Sequence, residues 1–109
     1  MTALMIMLNK QRALPAVLKS LRQAHVAAVT VFDSESLGQF LEETDIGEEQ
    51  SPNPIGSRLT AGKTIVAIQH DHIDFVGIRS KLNENGVDLT DPEMGVMFSM
   101  PIAETTVPD

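Results

Sequence analysis

His70-Asp71-His72 come nearest to doing chemistry by type and spacing. If a strand runs through them, the two imidazoles share one face and can chelate a divalent metal. If the chain turns there from strand to helix, Asp71 caps the helix and both histidines stand at the surface. Structural zinc usually takes four ligands, and no further ligands at matching spacing accompany these two, so the turn is preferred. His25 sits where a helix should close and is expected to cap its C-terminal end. Asp33-Ser34-Glu35-Ser36 offers carboxylates, hydroxyls and amides at a loop base. Such a run holds a small ligand or folds into an Asx-type turn. Asp33 and Glu35 also have the form of an acid/base pair, but any acidic loop supplies one. Glu42, Glu43, Asp45, Glu48 and Glu49 form an acidic run that attracts a basic partner or a cation, or is simply solvated. No nucleophile lies beside an evident base, and no GxxxxGK[ST] phosphate loop is present. No reaction is nominated, the expectation is a protein that is not an enzyme, and its cofactor is left unknown.

The elements that must position these residues follow from periodicity. Residues 3–8, ALMIML, form an apolar run of strand length. Leu14, Val17, Leu18 and Leu21 then recur at the spacing of one helical face, with Lys19, Ser20, Arg22 and Gln23 elsewhere, over about 11–24. Pro15 suits only the start of that helix. AVTVF, 28–32, reads as a second strand and TIVAIQ, 64–69, as a third. A second helix places Phe75, Ile78 and Leu82 on one face, flanked by Ile73 and Val76. Asp71 is its expected N-cap, Asp74 favours the positive end of its dipole, and Asn85-Gly86 stops it. GVMFSMPI, 95–102, is the fourth strand. Between the second and third strands, 33–62 carries little periodicity, and a loop that long in a compact domain is usually functional or disordered.

Strand, helix, strand, loop, strand, helix, strand is a duplicated βαβ unit, and AHV after the first helix echoes NGV after the second. The expected fold is α+β and ferredoxin-like, βαββαβ, with a four-stranded antiparallel sheet and both helices on one face. A chain of 109 residues is read as a single domain, 1–109. With no cysteine, neither disulfides nor cysteine-ligated metals are possible. The first apolar run is too short to span a bilayer and lacks a positive flank before it, so the expected location is cytoplasmic. A net charge of −7 and four Phe without Trp or Tyr argue against nucleic acid as a partner.

Helices on one face leave the other face of the sheet uncovered, and the strands are apolar on both. Leu4, Ile6 and Leu8 alternate with Met5 and Met7, Ile65 with Val66, and Met97 with Val96 and Phe98. No other segment is apolar enough to shield that second face. A patch of several hundred Å² exceeds what monomers normally expose, so assembly of like chains through their sheets is expected. Methionine suits such a seam because it is flexible and polarisable.

With this pattern in place, the chain over about residues 3–102 resembles the PII-like signalling superfamily. The resemblance rests on LMIMLN before the Leu14, Val17, Leu18, Leu21 helix, on HVAAVTVFDSESLG entering a loop, and on the closing run GVMFSMPIAETT. It implies a homotrimer with sheets facing inward, a small effector in the clefts between subunits, and a T-loop at about 36–62 presented to a partner protein. It implies ligand contacts among Asp33, Ser34, Ser36, Gly38, Gln39, Arg58, Gly86 and Gly95. The chain departs from ATP-binding members of the family. Ser36-Leu37-Gly38-Gln39 carries no base, the loop 85–93 is acidic, and the tail has no arginine. Arg58 and Lys63 are the basic residues near the implied cleft, so a less charged ligand than ATP, or none, is expected. CutA-type cation-tolerance proteins share the architecture. By that likeness a divalent-metal-binding trimer, with His70 and His72 as ligands, is the alternative.

Overall fold

The computed structural model describes residues 1–34 and 62–108. The elements are β1 (Thr2–Leu8), α1 (Leu14–Gln23, entered through a 3-10 turn at Gln11–Ala13), β2 (Val29–Ser34), β3 (Gly62–Gln69), α2 (Phe75–Glu84) and β4 (Gly95–Pro101). The T-loop expected at about 36–62 falls almost wholly outside the described residues.

The sheet order is β2-β3-β1-β4, with every neighbouring pair antiparallel. β1 and β2 therefore run parallel with β3 between them, and β3 and β4 run parallel with β1 between them. Each half is a split βαβ unit, compatible with the ferredoxin-like arrangement. Leu4, Ile6 and Leu8 of β1 and Ile65 and Ala67 of β3 point to one side of the sheet. There they join Val17 and Leu21 of α1 and Ile78 and Leu82 of α2 in a single core. Strand alternation puts Met5, Met7, Val66, Ile68, Val96 and Phe98 on the other side.

The two helices end in the same way. In α1, His25 N–H donates to Arg22 O at 3.0 Å and Val26 N–H to Leu21 O at 2.9 Å. In α2, Gly86 N–H donates to Asn83 O at 3.1 Å and Val87 N–H to Leu82 O at 2.8 Å. Both are Schellman caps, and each tucks a buried valine against the last buried leucine of its helix. The cap needs a left-handed residue, and it is filled by His25 (φ 59) in one case and Gly86 (φ 85) in the other. The AHV and NGV echo in the sequence is this shared cap.

Three local expectations are corrected. On α1 the fully buried positions are Val17, Ser20 and Leu21, whereas Leu18 is 36% exposed. Ser20, not Leu18, faces α2, where its hydroxyl meets Lys81 O and Asn85. Ser20 Oγ donates to Ala16 O at 2.7 Å, and Asn85 Nδ2 approaches Ser20 Oγ at 2.8 Å, Gln23 Oε1 at 3.0 Å and Lys81 O at 3.1 Å. Second, the N-cap of α2 is Asp74, whose carboxylate accepts from Gly77 N–H at 3.0 Å, and not Asp71. Ile73 lies outside the helix and is buried in the core, so the chain dips inward before the helix can begin. Third, β2 extends to Ser34, so Asp33 and Ser34 are strand residues rather than a loop base. Among the described residues, no helix is long and apolar enough to cross a membrane.

Candidate functional site

Two features of the fold are candidates for function: the second face of the sheet and the sheet end at which β1 finishes.

On the second face, cross-strand neighbours form rows perpendicular to the strands. One row is Phe32, Thr64, Met7 and Val96, and the next is Thr30, Val66, Met5 and Phe98. A third carries Ile68, Ala3 and Met100. No charged residue interrupts these rows. Phe32 is 47% and Met100 40% exposed, and Met5, Met7, Val66, Ile68, Val96 and Phe98 are half-buried. Half-polar edge strands would alternate here with lysine or glutamate; these do not.

The sheet end gathers part of the implied ligand set. Asp33 pairs with Lys63 across β2 and β3, Lys63 with Leu8, and Leu8 with Gly95, so all four share one row. Lys63 Nζ donates to Asp33 Oδ1. The aspartate side chain is 84% exposed, so this pair is worth little to stability. Ser34 stands opposite Gly62 one step further along. Both Gly62 and Gly95 press on the end of β1. A Cβ at Gly62 would lie 1.8 Å from Leu8 O, and one at Gly95 would lie 2.3 Å from Met7 O. Gly95 also holds φ 150, so both the close approach and the backbone conformation require glycine here. Gly86 is the left-handed residue of the α2 cap, with open space around its Cα. Ser36, Gly38, Gln39 and Arg58 lie outside the described residues.

The connection into β4 is held by its own carboxylates. Asp88 Oδ1 accepts from Thr90 N–H at 2.9 Å and from Thr90 Oγ1–H at 2.6 Å, and Asp91 Oδ1 accepts from Glu93 N–H at 2.9 Å. The Thr90 hydroxyl, then its amide, hold the Asp88 carboxyl below its ordinary value, and the positive charge of Arg79 adds to this. Lys10 Nζ lies 3.9 Å from Asp91, which ties this connection to the end of β1.

The histidines do not share a strand face. β3 ends at Gln69, and His70 and His72 follow in the bend that leads to α2, both exposed. Among the described residues, no three His, Asp or Glu side chains converge as a metal site would require. His25, expected as a cap, is one through its backbone conformation.

One grouping escaped the sequence. A cleft of about 220 Å³ lies between the end of α1, the end of β3 and the start of α2, lined by Ala24, Val26, Gln69, His72, Asp74, Gly77, Ile78 and Lys81. Gln69 Oε1 is buried and has no hydrogen-bond partner among the described groups. The signal available in sequence was Gln69 itself, a polar residue two positions beyond the buried Ala67 on the helix-facing register of β3, opposite Thr2.

No protein-family model matches this chain, and no curated protein matches it.

Proposed function

We propose that this chain is a PII-like regulatory protein and not an enzyme. It works as a homotrimer closed through the uncovered sheet faces. A small effector sits in the clefts between subunits, and the segment of about 36–62 meets a partner protein. The observation that carries this reading is the second sheet face, where Phe32, Met7 and Val96, and then Val66, Met5 and Phe98, form apolar rows interrupted only by Thr64 and Thr30 and by no charge. Covering apolar area contributes about 25 cal/mol per Å², so several hundred Å² per copy supports stable association after its entropic cost. Asp33 and Ser34 on the edge strand β2 and Gly95 on the opposite edge strand β4 stand at the same end of the sheet, and an effector that bridges copies at that end would meet them.

The effector is expected to carry less charge than a nucleoside triphosphate. Lys63 is already paired with Asp33 and Lys10 lies beside Asp91, so neither ammonium at this end is uncommitted. The test is isothermal calorimetry of the assembled protein against a panel of nucleotides and central metabolites. Binding of one compound per cleft, lost on Asp33→Ala, supports the sensor reading. An absence of heat across the panel, with an unchanged amide spectrum, removes it.

A further inference from the structure

The cleft at the opposite end of the sheet from Asp33 and Gly95 has the makings of a second site. Gln69 lines it, and Gln69 Oε1 is buried, an acceptor with no N–H or O–H directed at it among the described groups. Buried polar groups are almost always satisfied, so this one calls for a donor from outside the chain. The other acceptor on the wall is the Asp74 carboxylate, whose Oδ1 takes the Gly77 amide and whose Oδ2 has no bond assigned to it. Lys81 also lines the cleft, and its ammonium is drawn to Glu84 at 3.2 Å. The floor is apolar, from Ala24, Val26 and Ile78. A chain carrying −7 draws cations toward its surface.

We infer that this cleft binds a small molecule through a primary ammonium group, which donates to Gln69 Oε1 and lies beside Asp74. Such a group supplies three N–H donors and a positive charge, and a carbonyl together with a carboxylate is the pair of acceptors it needs. A free amine and an α-amino acid share this group. They differ in the carboxylate, which His72 and Lys81 on the same wall would meet. This site lies within one chain and stands or falls independently of the assembly proposed above.

The test uses the full chain labelled with nitrogen-15. Glycine, alanine and serine form one arm, and ethylamine and ethanolamine the other, with propionate as the control without an ammonium group. The expected result is saturable movement of the Gln69 side-chain amide and the Gly77 backbone amide with ammonium compounds and none with propionate. Response in both arms identifies the ammonium group alone as the determinant, and response to amino acids only adds the carboxylate contact. Gln69→Met keeps the length and removes the acceptor. It should weaken binding about tenfold or more, the loss of one charge-assisted hydrogen bond, and should raise the melting temperature of the unliganded protein, because an orphan acceptor has gone. Gln69→Glu should tighten binding. No movement with any ammonium compound up to millimolar concentration, or unchanged affinity in Gln69→Met, overturns the proposal and leaves a bound water as the partner of Gln69.

Discussion

Gly86→Ala and His25→Gly alter the same position of two like caps in opposite directions. Both residues are left-handed, at φ 85 and φ 59, and the N–H of each donates to the carbonyl three residues back. A Cβ at Gly86 would meet nothing within 4 Å, so alanine there adds no clash and its whole cost is conformational. Holding an L-residue in that region costs about 1 kcal/mol. In His25→Gly the same term is recovered, but the unfolded chain gains freedom and a side chain favourable to the helix dipole is lost, which together offset about half of it. The net expectations are about 1 kcal/mol of destabilisation for Gly86→Ala and about 0.5 kcal/mol of stabilisation for His25→Gly. In a chain of this size that is roughly 5 °C down and 2–3 °C up in Tm. The assay is thermal unfolding by circular dichroism at one fixed protein concentration, because assembly shifts Tm by mass action. His25→Asn, which tolerates the left-handed region, should lie between wild type and His25→Gly. If His25→Gly lowers Tm while Gly86→Ala leaves it unchanged, the shared-cap reasoning is refuted.

Met5→Glu puts a carboxylate at the centre of the uncovered face, beside Val66 and Phe98. An unpaired charge in an apolar seam costs several kcal/mol, so association should weaken by about a thousandfold while Val76→Glu, at a position 77% exposed on α2, leaves it unchanged. Sedimentation velocity reads both. Gly95→Ala forces a Cβ to 2.3 Å from Met7 O and should cost about 3 kcal/mol in urea unfolding, where a ligand-contact role alone would leave stability intact. Asp88 has a lowered folded-state pKa, so its bonds to Thr90 support the fold above the ordinary aspartate range and are lost as pH falls through the lowered value. A carbon-13 titration should find Asp88 ionising below a typical aspartate, and Thr90→Val should return it toward that value.

The order of elements was legible because each strand and helix carries its own period: ALMIML and TIVAIQ are continuous runs, and Val17 and Leu21 repeat at helical spacing. The apolar second face was legible for the same reason, since alternation assigns Met5 and Met7 to the side away from Leu4 and Ile6 whatever the partner strand. Ser20 was misassigned because counting apolar residues favours Leu18, and the two differ only by the rotation at which α1 meets α2. Ser20 meets Asn85 there, sixty-five positions away along the chain. Asp71 and Asp74 are both good caps locally. The choice between them is made by Ile73 entering the core, which is a tertiary effect. The cleft at Gln69 joins three elements distant in sequence, and no window along the chain contains it.

Sedimentation equilibrium of the unmodified chain, across concentrations from micromolar upward, tests the central claim most directly. The account expects a mass three times the 11.8 kDa of one chain, independent of concentration through the micromolar range. A well-behaved species of 11.8 kDa over that range would contradict it, because the apolar rows of the second face would then stand stably in water.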